Sequence, residues 1–217
     1  MAKHTLTHAD ELFVGNAYEP AARSNRGAPL TPIVQVDLGV PATASANSIC
    51  TSQSVSSGVA AVITAGTLDV PRNVVAAWTN TAIVTVTGTD KYGKTLVESS
   101  ASGTSFTGKK AFKTVTSVVF NASVTGATVG SGVVLGLPYR LAGKYDILAG
   151  YMDTTLENAT STVVAGDATT PSATTGDVRG TYSPATAPNG SRQYRVWMKI
   201  FGLATRAETY GVNQYAG

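Results

Sequence analysis

Cysteine is almost missing from this chain. Cys50 stands alone among 217 residues, which excludes an intrachain disulfide and any cysteine-built metal site, and suits a reducing compartment. Histidine is nearly as scarce: His4 and His8 both lie in the first ten residues. A Ser-His-Asp relay would have to recruit one of them from a chain end, and the pattern Gly-x-Ser-x-Gly does not occur. Charge is thin as well, at 13% of residues, with 16 basic and 13 acidic side chains leaving +3. A dispersed surplus that small does not make a nucleic-acid surface. No stretch reaches the roughly 18 apolar residues that a membrane-crossing helix needs, and residues 1–10 lack the apolar core of a secretion signal. The expectation is a chain made and kept in the cytoplasm, or released by lysis, with no membrane partner.

What remains is rich in Thr, Ser, Ala, Val and Gly. At 43% hydrophobic the chain is too apolar for disorder, and its β-branched residues and Gly punctuation argue against a helical bundle. Its length can bury a core without staples.

Strand signals dominate from Ile33 onward. Residues 33–38 form a short β run closed by Gly39 and Pro41; residues 59–70 form another, ended by Pro71, and residues 74–78 follow. Residues 83–88 and 94–99 flank the polar loop Thr89-Asp90-Lys91-Tyr92-Gly93, a hairpin signature. Residues 112–124 and 129–137 predict further strands. In residues 193–200, Tyr194, Val196, Met198 and Ile200 alternate with Gln193, Arg195, Trp197 and Lys199, the pattern of a half-buried strand. Trp197 on its polar face is either propped on neighbouring side chains or an interface anchor. Residues 157–190 predict a long loop or short ragged strands. Three windows, 9–14, 145–152 and 204–208, could make a helical turn. The fold expectation is all-β: a β-sandwich or jelly-roll body over residues 33–217 with an extended N-terminal arm at 1–32.

That first segment holds Pro20, Pro29 and Pro32 and little periodicity. It is either a floppy terminus or an arm ordered on a partner, with Leu12, Phe13 and Tyr18 as anchors and Arg23 and Arg26 as polar contacts.

Catalysis needs converging titratable groups, and none are evident. His4 and His8 at i, i+4 spacing near Asp10 and Glu11 could hold a metal only if helical, and read better as solvated. Gly130, Ser131, Gly132 and Gly136 lack phosphate-loop spacing and read as turn or bulge glycines. Asp146, Asp153, Glu157, Asp167 and Asp177 lack the aromatic neighbours of a sugar cleft and read as surface charges. Lys109, Lys110 and Lys113, interleaved with Phe106 and Phe112, read as strand-edge gatekeepers or protein contacts rather than a single-strand binding surface. No catalytic residue, cofactor or metal is expected, and the chain is read as a non-enzyme.

Four phrases carry a resemblance: residues 83–94 (IVTVTGTDKYGK), 108–117 (GKKAFKTVTS), 176–184 (GDVRGTYSP) and 188–191 (PNGS). Together they resemble virion structural proteins of tailed bacteriophages, and within that group capsid decoration, or cement, proteins. The resemblance implies a β-sandwich or jelly-roll body on the capsid exterior, bound to the phage major capsid protein and clamping its adjacent subunits. It further implies a homo-oligomer, a trimer favoured, with no nucleic-acid partner. The alternatives are another virion component (tail fibre, head fibre or tail tube) and a carbohydrate-binding β-sandwich whose platform would be Trp78, Trp197 or Tyr182.

Overall fold

The computed structural model describes residues 11–17, 31–157, 163–167, 170–200 and 205–217. These form fourteen strands: β1 (Glu11–Ala17), β2 (Thr31–Gly39), β3 (Ser45–Val55), β4 (Thr67–Ala82), β5 (Val84–Thr89), β6 (Thr95–Ser99), β7 (Gly103–Thr107), β8 (Phe112–Phe120), β9 (Val124–Gly136), β10 (Ile147–Met152), β11 (Thr155–Glu157), β12 (Val163–Ala165), β13 (Gly180–Tyr182) and β14 (Tyr194–Lys199). Among the described residues one short α-helix, α1 (Arg206–Tyr210), lies near the C-terminal end, capped by the Thr205 side chain accepting from Glu208 N.

Two antiparallel sheets result. One has five strands in the order β1-β2-β14-β10-β11, and the other has nine, running β12-β13-β9-β4-β8-β5-β6 with β3 on β9 and β7 on β4. The inner face of the five-stranded sheet presents Val34, Val36, Tyr194, Val196 and Met198, all fully buried, against Leu135, Leu137, Tyr139 and Tyr182 from the far end of the larger sheet. This is sandwich-like packing of two inner faces. The larger sheet also folds around a second core of its own, filled from β3 through β9 by Ile49, Trp78, Val86, Leu96, Phe112, Val118, Phe120 and Val129. Each such side chain contributes about 1.5–3 kcal/mol on burial, so the body holds two cores sharing one sheet.

The hairpin expectation is met. β5 and β6 pair from Thr85↔Ser99 to Thr89↔Thr95, and the turn is closed by Asp90, whose Oδ1 accepts from Tyr92 N and Lys94 N at 2.8 and 2.9 Å. In β14 every second residue is buried, as the alternation predicts. Other boundaries differ. Residues 56–66 are not a strand apart from one bridge, Ala60↔Val119, and Val59 and Val62 are exposed. Pro71 does not end a strand either: β4 runs through it, and the missing N–H falls where the pairing with β8 and β9 shifts register around Arg72. The window 9–14 contributes to β1, and residues 147–152 form β10 behind a one-turn 3-10 helix at Lys144–Asp146. The window 145–152 thus holds a helical turn only at its first two residues, and 204–208 overlaps α1.

Glycine does unusual work in β9, where Gly130 and Gly132 sit inside the strand rather than at a turn. A Cβ on Gly130 would lie 1.8 Å from Ser45 O, and one on Gly132 would lie 2.2 Å from Asn73 Oδ1. β9 is therefore crossed at close range by β3 and seated on Asn73, whose amide donates to Gly108 O and accepts from Val134 N.

Candidate interaction surface

Strand register assembles the outer face of the five-stranded sheet. One row runs Gln35 (β2), Trp197 (β14), Ala149 (β10), and the next runs Asp37, Arg195, Tyr151, Leu156 across β2, β14, β10 and β11. Ile33 faces Lys199 in a third. In β2 and β14 each of these positions alternates with a buried residue, and cross-strand pairing places Ala149, Tyr151 and Leu156 on the same face, turned away from the core. The polar members are tied together: Gln193 Nε2 donates to Asp37 Oδ2 at 2.7 Å, and Arg195 Nη2 donates to Gln193 Oε1. That chain ties Arg195 through Gln193 to Asp37 on the neighbouring strand. Leu156 on the edge strand β11 is 63% exposed, and Tyr145 and Leu148, at the entry to β10, are also largely exposed. The result is a broad, mixed apolar and charged face with an aromatic near its centre, the composition of a protein-binding patch.

Of the six residues expected to contact a partner, Trp197 sits on this face, half-buried, with its Nε1 sealed from solvent and lacking an acceptor among the described residues. Leu12 and Phe13 lie in β1, paired with Gln35 and Val34 of β2. Leu12 and Trp197 thus flank the same residue, Gln35, in adjacent strands. Tyr18, Arg23 and Arg26 lie outside the described residues, as do His4 and His8.

The acidic residues read as surface charges are divided by the structure. Asp177 and Glu157 are buried, at 2% and 7% exposure. Asp177 accepts from Ala111 N, Arg179 N and Gln214 Nε2, and Glu157 from the Tyr182 hydroxyl at 2.6 Å and Thr186 N at 2.9 Å. They are satisfied structural acids, and nothing in a lone Asp or Glu within a loop-like stretch signals that. Two of the three clustered lysines are corrected in the same way, while Lys109 is exposed. Lys110 is fully buried with its Nζ on Ser172 O, Lys113 Nζ caps Leu68 O and Asp69 O, and Phe106 and Phe112 belong to the core. Trp78 and Tyr182, two of three candidate sugar-platform residues, are buried too; Trp78 packs edge-on against Phe120 at 5.2 Å.

Sequence reasoning missed the polar centre beneath the C-terminal segment. Glu98 on β6 is 2% exposed and accepts from Lys109 N and Lys110 N. Burial pushes its carboxyl up to about 7, against the pull of those two N–H groups and the Lys110 ammonium. Burial likewise lowers the Lys110 ammonium, opposed by Glu98, Asp177 and Asp167. The neighbours of Glu98 hold the cover down: Val97 N donates to Tyr215 O and Ser99 N to Ala173 O. The open edge of β6 is thereby closed by the chain's own loops. Among the described residues no group of three or more His, Cys, Asp or Glu is placed to hold a metal, and burial raises the Cys50 thiol to about 11.

Comparison with known proteins finds no matching family model, no matching characterised protein and no matching solved structure.

Proposed function

We propose that this chain is a virion structural protein that binds the outer surface of a phage capsid and cements neighbouring major capsid protein subunits. The observation that carries the reading is the outer face of the five-stranded sheet, where Trp197, Tyr151, Leu156 and Ile33 are interleaved with Arg195, Lys199, Asp37 and Gln35. Such a face has the aromatic and arginine anchors that dominate protein interfaces. The buried ionisable groups support the same reading from the other side. Glu98, Asp177, Glu157 and Arg72 are consumed by backbone and side-chain partners, which leaves them holding the body together rather than converging on a substrate. The phrases that resemble tailed-phage virion proteins favour the capsid as the partner. A cement protein needs area and several modest docking points, whose combined avidity exceeds any single contact.

The direct test is location. Labelled electron microscopy of the phage that encodes this chain should place it on the head exterior, and purified chain should cosediment with heads stripped of it. Label confined to the tail, or heads that never bind the chain, would contradict the proposal.

A further inference from the structure

A second surface lies elsewhere on the molecule. The turn between β5 and β6, Arg179 just before β13, helix α1 and the chain after it enclose an open cavity of about 860 Å³. Its floor is the buried ion pair of Asp90 and Arg179, 2.9 Å apart. Its walls are Tyr92 and Tyr210, whose rings meet edge-on at 5.6 Å. Its rim carries the exposed side chains of Lys94 and Arg206.

Three features of this cavity ask for the same kind of occupant. Arg179 is 5% exposed; its Nε donates to Leu137 O and its Nη1 to Asp90 Oδ2. Its second amino group, Nη2, meets no acceptor among the described residues, although Arg179 lines the cavity. A buried guanidinium with a spare N–H pair is a preformed site for a carboxylate or carbonyl oxygen. Lys94 and Arg206 form no ion pair among the described residues, and Asp90 is already neutralised, so the cavity carries two uncompensated positive charges at its mouth. Between floor and rim, the tyrosine faces offer apolar contact for a side chain.

We propose that this groove receives an acidic, extended chain segment of a partner protein. Carboxylates would meet Lys94 and Arg206, an oxygen would meet Arg179 Nη2, and an apolar or aromatic side chain would pack against the joined Tyr92–Tyr210 pair. A polynucleotide fits less well. Glu208 lies two residues beyond Arg206 on α1, and the lysines that could have extended a phosphate track, Lys110 and Lys113, are spent on Ser172, Leu68 and Asp69 carbonyls. The groove shares no residue with the outer face of the five-stranded sheet, so either surface can fail its test without the other.

The experiment titrates the full chain into a fluorescein-labelled ten-residue peptide alternating Asp with Leu and Phe, followed by anisotropy. A peptide with Lys in place of Asp serves as the control. The acidic peptide should bind and the basic one should not. Lys94→Glu with Arg206→Glu, both on exposed side chains, should keep the thermal transition and weaken binding at least tenfold, and raising the salt should weaken it in the wild type. Equal binding of the two peptides, no binding of the acidic one, unchanged affinity in the double variant, or tighter binding of a single-stranded oligonucleotide would each overturn the assignment.

Discussion

Arg179 Nη1 lies 2.9 Å from Asp90 Oδ2, with both side chains almost wholly buried, so the tip of one hairpin is bound to a residue 89 positions later. Asp90 does two things at once, because its other oxygen accepts the two N–H groups that close its own turn. Arg179 also stacks over Tyr92, 5.1 Å from the ring centroid. Local turn chemistry and long-range packing therefore meet in one carboxylate.

Arg179→Met should cost about 3–5 kcal/mol, because it strands the Asp90 carboxylate in the interior. Adding Asp90→Asn should recover part of that loss, since the pair is then removed together. Urea unfolding of the two single variants and the double variant measures the coupling; strictly additive losses would mean the pair does not act as a unit.

Glu98 sets a pH dependence. Its carboxyl titrates near 7 in the folded chain against 4.5 as the ordinary value. Between those values the folded state holds a proton that the unfolded chain releases, so stability is complete below about pH 4.5 and falls as pH rises through 7. The loss is on the order of 2–3 kcal/mol. Asp69 works in the opposite sense. Burial pushes its carboxyl up, but the N–H groups of Ala42 and Val70 and the Arg72 guanidinium together bring it below its ordinary 3.8, so it matters only in more acid solution. Urea midpoints at about pH 5 and 8 should differ clearly in the wild type and much less in Glu98→Gln; the same pH difference in both proteins would contradict the assignment.

Tyr182→Phe removes the hydroxyl that donates 2.6 Å to Glu157. A buried carboxylate losing such a donor should cost about 1.5–3 kcal/mol, read as a lower urea midpoint with an unchanged slope. Gly130→Ala tests the crossing of β3 over β9. Because the new Cβ would sit 1.8 Å from the backbone oxygen of Ser45, a loss of about 2–3 kcal/mol or more is expected. Wild-type stability in that variant would show that the strands can separate freely.

Legibility in the sequence followed how local the cause was. The β5–β6 hairpin and the alternation of β14 were readable, because turn chemistry and a period of two are properties of neighbouring residues. The run 59–70 misled, since its apolar composition is that of a strand while Val59 and Val62 in fact face solvent. Pro71 misled in the other direction, because a register shift in β4 absorbs its missing donor. The buried charges were invisible for a physical reason. Asp177 meets Ala111 and Arg179 meets Asp90 only after the fold has closed, and no spacing rule connects residues 66 or 89 positions apart. Trp197 could be picked out because a tryptophan interrupts an otherwise polar strand face, whereas Arg195 gains its meaning only from the Gln193–Asp37 chain beside it.

The most direct measurement is head binding by variants of the sheet face. Leu156→Asp changes an exposed side chain, and Trp197→Ala removes the half-buried aromatic; calorimetry should confirm that both remain folded. Cosedimentation with stripped heads should then show affinity lowered by about 30-fold or more for Trp197→Ala, the loss of an interface anchor of at least 2 kcal/mol. Leu156→Asp should show a smaller loss. Folded variants that saturate the heads at the same concentration as the wild type would contradict the claim that this face is how the protein works.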